Sequence, residues 1–256
     1  MRKNLLRKRF IVACLFIAIL SGCAPAEPEP TEYIKPTITP LPFIEGTEFP
    51  TGIFEHVGGH WIGEFREDGT AFWYSTRVGG DASTRYGVNG NLWSEMQFSY
   101  PVGRELPATY FWHFDGNLLT FQVWGVDYRA ERWGYLHGGT YKYIGEAEAR
   151  SIDNELNFPT GRYKNETKQW VFDFKDDGTW HFYEDNLENP VRSGKYVTNG
   201  KYYTEMTHDD PDLLKAPATY IWTLNDQKLS FELWEEEVNE LRKSIYDQHT
   251  YIRIDE

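Results

Sequence analysis

The sequence predicts an all-β protein made of two tandem copies of one antiparallel meander domain, with about eight short strands in each. Three observations carry that expectation. Blocks of the chain recur at an offset of 109 or 110 residues. Aromatic and β-branched residues alternate with polar ones within each block. Asn-Gly and Asp-Gly pairs punctuate the blocks at hairpin spacing.

The duplication organises everything after residue 48. Phe49-Pro50-Thr51-Gly52 returns as Phe158-Pro159-Thr160-Gly161. Trp61 to Phe65 with Asp68-Gly69-Thr70 returns as Trp170 to Phe174 with Asp177-Gly178-Thr179. Glu95-Met96 returns as Glu205-Met206, and Pro107 to Trp112 as Pro217 to Trp222. Leu119, Phe121, Trp124, Arg132 and Tyr141 match Leu229, Phe231, Trp234, Arg242 and Tyr251. The offset rises from 109 to 110, so one residue is inserted between the early and later blocks. The copies are placed at 49–144 and 158–256, with a short acidic connector at 145–157.

Turns are expected at Asp68-Gly69, Asn89-Gly90 and Asp115-Gly116 in copy one. In copy two they are expected at Asp177-Gly178, Asn199-Gly200 and Asn225-Asp226. An open meander leaves two unpaired edges, whereas a closed one leaves none. Small eight-stranded barrels are therefore the first reading, ahead of a two-sheet sandwich or one sheet spanning both copies. The interior of such a barrel is either filled by side chains or holds one small ligand.

Each copy resembles a small lipocalin-like (calycin-type) barrel. The resemblance rests on Gly52-Ile53-Phe54 and Gly161-Arg162-Tyr163 on the first strand, the Asp-Gly-Thr hairpins, and the late Arg132 and Arg242. Lipocalins carry Gly-x-Trp at the first strand with the late Arg over the Trp; Phe54 and Tyr163 replace that Trp here, and the copies are shorter. The resemblance implies a ligand-carrying role for a small apolar or amphipathic molecule.

Before the copies lies an export segment. Arg2, Lys3, Arg7, Lys8 and Arg9 precede an apolar run from Phe10 to Leu20, and no acidic residue occurs before Glu27. That run is short of the roughly 20 residues a permanent span requires, and fits a signal peptide. Leu20-Ser21-Gly22-Cys23 resembles the bacterial lipobox, which implies that residues 1–23 end at a Cys23 that carries lipid. Two acyl chains would hold the protein to a membrane, on the extracytoplasmic side of the cell membrane or the outer membrane. Ala24 does not resemble an inner-membrane retention signal. Residues 24–48, rich in Pro, Glu and Thr, read as an extended spacer.

The chain has 26 basic and 39 acidic residues. Five of the basic ones leave with the signal, so 21 against 39 gives a mature charge near −18. Such a surface repels phosphate backbones and excludes nucleic acid as a partner. Cys14 leaves with the signal and Cys23 is acylated, so no disulfide is expected.

Candidate ligand contacts are few. Trp124 and Trp234 alternate away from Leu119-Phe121-Val123 and its counterpart, so they either touch a ligand or cover a barrel end. Trp112 and Trp222 join them as candidate rings. Glu95 with Arg132, and Glu205 with Arg242, form either structural ion pairs or a polar ligand site. Aromatic density also admits carbohydrate binding.

His56 with His60, and the loop from His208 to Asp212, lack metal-site spacing and do not recur between copies, so no metal or cofactor is expected. No nucleophile elbow, phosphate loop or zinc-helix motif occurs, and no enzymatic activity is expected. Two functional expectations remain: a tethered small-molecule binder, or a structural or protein-interaction envelope lipoprotein with filled barrels.

Overall fold

The computed structural model describes residues 47–77, 81–99, 107–124, 132, 136, 138–148, 157–208, 217–234, 240–246 and 249–254. The expectations for the export signal, Cys23, most of the spacer and most of the connector lie outside the described residues. So does the loop that follows His208.

Copy one comprises β1 (Gly52–His56), β2 (Trp61–Phe65), β3 (Thr70–Ser75), β4 (Asp81–Asn89), β5 (Leu92–Ser99), β6 (Ala108–Phe114), β7 (Leu118–Val123) and β8 (Thr140–Gly145). Copy two comprises β9 (Gly161–Asn165), β10 (Trp170–Phe174), β11 (Thr179–Glu184), β12 (Arg192–Asn199), β13 (Tyr202–His208), β14 (Ala218–Asn225), β15 (Lys228–Leu233), α1 (Glu240–Tyr246) and β16 (Thr250–Arg253). Each copy is a closed antiparallel barrel of eight strands in sequence order, consistent with a lipocalin-like barrel. First and last strands seal the sheet, with Phe54 opposite Tyr143 in one copy and Tyr163 opposite Arg253 in the other. Closure leaves neither barrel an edge to pair with another chain.

Local chemistry explains the hairpins. Between β2 and β3, Asp68 Oδ1 accepts from the Thr70 N–H at 2.9 Å, and Asp177 repeats the bond to Thr179 at the same distance. Between β4 and β5 the two central residues are Gly90-Asn91, and positive φ falls on Gly90 alone (60°), with Gly200 at 58° in the other copy. That is the type II′ pattern, with Gly first, so Asn89 and Asn199 are strand-end residues rather than turn centres. The third turn of copy two also falls one residue later than expected. Asn225 pairs with Lys228, and Asp226-Gln227 take positive φ of 47° and 68°. The inserted residue lies between β11 and β12, because β3 and β11 match at offset 109 and β4 and β12 at 110.

The repeated Phe-Pro-Thr-Gly has a packing role. Phe49 meets Phe65, Tyr86, Trp93, Trp112 and Phe121 at centroid distances of 5.3–6.5 Å. Phe158 meets Phe174, Tyr196, Tyr203, Trp222 and Phe231 at 5.1–6.3 Å. The ring just ahead of the first strand therefore turns back onto the barrel core. Trp73, Trp93, Tyr110, Phe121 and Tyr141 are fully buried in copy one, as are Tyr163, Tyr203, Tyr220 and Tyr251 in copy two. Each core is one continuous cluster dominated by rings. Such contacts add to area burial because ring edges and faces carry opposite partial charge.

The two barrels touch through a reciprocal pair of clamps. Asn89 Nδ2 donates to the carbonyls of Gly178 (3.0 Å) and Tyr196 (2.9 Å). Asn199 Nδ2 donates in return to Gly69 (3.1 Å) and Tyr86 (3.0 Å). A Cβ on Gly69 or Gly178 would collide with the incoming amide, which accounts for glycine at both turns. Gly87 faces Val197 at the same junction, again without room for a side chain. Arg85 Nη1 also donates to Asn199 Oδ1 at 2.8 Å.

The double variant Asn89→Ala, Asn199→Ala removes the amide donors from these partly buried carbonyls, of which Gly69 and Gly178 still accept from the Tyr86 and Tyr196 N–H groups, at about 0.5–1.5 kcal/mol per lost hydrogen bond. It is expected to uncouple the barrels while each stays folded, so that one calorimetric unfolding transition becomes two. A single unchanged transition would show that the clamps do not couple them.

Candidate functional site

The residues singled out in the sequence fall into three places. Trp112 and Trp222 lie inside the barrels at 1% and 6% exposure, so they are core rings rather than surface ones. Each indole N–H donates to the carbonyl of a hairpin glycine, Gly90 or Gly200, at 3.0 Å. Packing against Phe49 or Phe158 fixes their outer ends.

Trp124 and Trp234 follow β7 and β15 and are half-buried. Their backbone N–H groups donate to Thr109 and Thr219 carbonyls, continuing the ladder one residue past the strand. Trp234 meets Tyr202 edge-on at 5.4 Å, and Arg85 of the first barrel lies 6.0 Å from the same Tyr202 ring. Trp234 thus belongs to an aromatic and cationic cluster beside the barrel junction.

Glu95 and Arg132 form a buried ion pair, Arg132 Nη1 donating to Glu95 Oε2 at 3.1 Å with both side chains 1% exposed. Glu205 and Arg242 repeat it at 3.4 Å. In copy two the arginine sits on α1, which also drives Ile245 and Tyr246 into the core. Tyr246 stacks on Tyr220 at 4.6 Å, and Tyr251 donates from its hydroxyl to the Ile245 carbonyl at 2.6 Å. Beside each pair, buried hydroxyls bridge neighbouring strands, Ser94 with Thr109 and Thr204 with Thr219. In copy two a short helix carrying an arginine is thus tied to the barrel wall by charge.

His56 and His60 do not form a metal cage, and no group of three or more metal-ligating side chains converges among the described residues. Burial pushes the His56 ring below its usual titration range, and the ring packs edge-on against Tyr141 at 5.0 Å.

Sequence reasoning missed Asn89 and Asn199. Both stand in Asn-Gly turn pairs in the sequence, yet their side chains help to join the barrels. Their recurrence at equivalent positions was visible, but a recurrent Asn-Gly has an adequate local explanation.

The class defined by this geometry is a tandem pair of closed eight-stranded antiparallel barrels with aromatic-filled interiors. No family model matches the chain, and neither curated proteins nor solved structures give a match.

Proposed function

We propose that the chain is a lipid-tethered, non-enzymatic interaction protein of the cell envelope. Cys23 bears the acyl anchor, residues 24–48 space the folded part from the membrane, and the two barrels act as a rigid double platform whose outer faces dock a partner. One observation supports this over an interior carrier: the rings of each barrel meet one another across the interior, closed off at one side by Phe49 or Phe158. An eight-stranded barrel has room for such side chains or for a ligand, not both. A mature charge near −18 favours a partner with a basic face.

Native mass spectrometry of the purified chain, with Trp fluorescence titrated by a panel of fatty acids, tests the choice. The expected result is no bound acyl ligand beyond the covalent anchor and no quenching. One fatty acid retained per barrel, with quenched Trp emission, would restore the carrier reading. The anchor is checked separately by metabolic labelling with palmitate, which Cys23→Ala is expected to abolish.

A further inference from the structure

The two copies differ most usefully where the first strand meets the last. In copy one, Tyr143 lies over Gly52, so that a Cβ there would strike the Tyr143 ring at 2.5 Å. The same ring packs edge-on against Phe54 at 5.4 Å. In copy two the equivalent residue is Arg253, whose Nη2 would be 3.4 Å from a Cβ on Gly161. Exchanging a packed ring for an extended guanidinium opens the surface. A pocket of about 370 Å³ results, walled by Gly161, Arg162, Asp173, Phe174, Lys175 and Arg253. Its volume is at the small end of ligand sites, which begin near about 300 Å³.

The charges in this pocket are not balanced. Arg162 and Lys175 both bond to Asp173 Oδ2, at 3.1 and 2.7 Å, and the Asp173 side chain is only 4% exposed. Burial pushes the Asp173 carboxyl up, but the Lys175 and Arg162 bonds and charges outweigh it and hold the group below the usual range. Asp176, also on the wall, accepts from the Thr160 hydroxyl at 2.5 Å. Arg253 has no ion pair or side-chain hydrogen bond among the described residues. Among the described residues three cations thus line the pocket with two carboxylates, Arg253 and Asp176 being exposed to solvent. Opposite Arg253 in the sheet, the buried Tyr163 hydroxyl also lacks a hydrogen-bond partner.

A guanidinium fork with nothing in it is shaped for a carboxylate or phosphate. Charge decides between them. A monoanion cancels the excess of one positive charge among the described residues, whereas a dianion would add a second negative charge beside Asp173 and Asp176. Those carboxylates and Thr160 are suited to hydroxyl groups on the rest of the ligand. We propose that this pocket of the second barrel binds a small hydroxylated monocarboxylate, with its carboxylate on Arg253. This is independent of outer-face docking, and in the first barrel Tyr143 occupies the position of Arg253.

Calorimetric titration of the full chain in detergent micelles with D-glucuronate, glucose and glucose 6-phosphate tests it. Glucuronate is expected to saturate one site per chain, glucose to give no heat, and the phosphate ester to bind at least about tenfold more weakly. Arg253→Tyr, which installs the residue found in copy one, is expected to weaken glucuronate binding by about tenfold or more without moving the melting temperature. If that variant melts early, Arg253→Gln takes its place in the same comparison. The proposal fails if glucuronate does not saturate at millimolar concentration or if a well-folded Arg253 variant binds it equally well. It also fails if glucose 6-phosphate binds as tightly.

Discussion

Above about pH 10 the protein is expected to unfold cooperatively, and its buried tyrosines to ionise only as the barrels open. Burial raises Tyr86, Tyr141, Tyr196, Tyr203, Tyr246 and Tyr251 above the usual phenol value. Nearby carboxylates add to this, Asp68 and Glu67 for Tyr86 and Glu205 for Tyr203 and Tyr246. A phenol raised in the folded state contributes stability that is complete below its unfolded value, near 10, and is lost as pH climbs toward the folded one. In that window the unfolded chain has released protons that the folded chain still holds, so stability falls with pH. Each such tyrosine contributes a slope of about 1.4 kcal/mol per pH unit, so six give on the order of 8. A stability of about 5–15 kcal/mol is exhausted within about two units. Phenolate absorbance and far-ultraviolet circular dichroism followed together against pH check this, and the two curves are expected to coincide. Smooth ionisation of all tyrosines near pH 10 with the barrel spectrum intact would refute it.

Removing one partner of a buried ion pair is the second large effect. Glu95→Ala leaves the Arg132 guanidinium, itself buried, without its carboxylate, and Arg132→Ala does the converse. Either is expected to cost about 3–5 kcal/mol. For a barrel of roughly 95 residues that corresponds to about 12–40 °C in Tm, since each kcal/mol shifts a domain of this size by about 4–8 °C. Glu205→Ala and Arg242→Ala are expected to do the same to the second barrel. The double variant Glu95→Leu, Arg132→Met removes both charges and is expected to recover most of the loss, because burying the pair itself brings little net gain. Differential scanning calorimetry reads all of these. Single variants that lose less than about 1 kcal/mol would mean that the pair bears little of the structure.

The barrels were legible because closure follows from local facts. Eight short alternating segments with hairpin-length links leave two edges, and pairing β1 with β8 removes both. Burial on β6 and β7 was equally readable, since Tyr110 and Trp112 alternate with residues facing the other way. What could not be read depends on contacts between distant segments. Trp124 and Trp234 look alike in sequence, but only Trp234 has Tyr202 beside it, because Leu92 occupies the matching position in copy one. The Arg253 pocket was invisible for the same reason: Tyr143 and Arg253 are both ordinary strand-end residues, and the space appears only where the guanidinium replaces the ring over a glycine that both copies share. Asn225-Asp226 failed as a turn because Asn225 still had a partner, Lys228, to extend the ladder by one pair.

The reciprocal Asn89 and Asn199 clamps carry a consequence for how the protein behaves when scarce. The contact is isologous in kind, the same patch of each copy meeting its twin, as at the two-fold axis of a homodimer. Two separate chains meeting this way would part on dilution, since few hydrogen bonds cross the contact among the described residues. Fusion into one polypeptide makes the encounter intramolecular, at an effective concentration in the millimolar range for a short link. The paired state is therefore indifferent to the protein's concentration, and the halves need not be identical, as Tyr143 and Arg253 already differ.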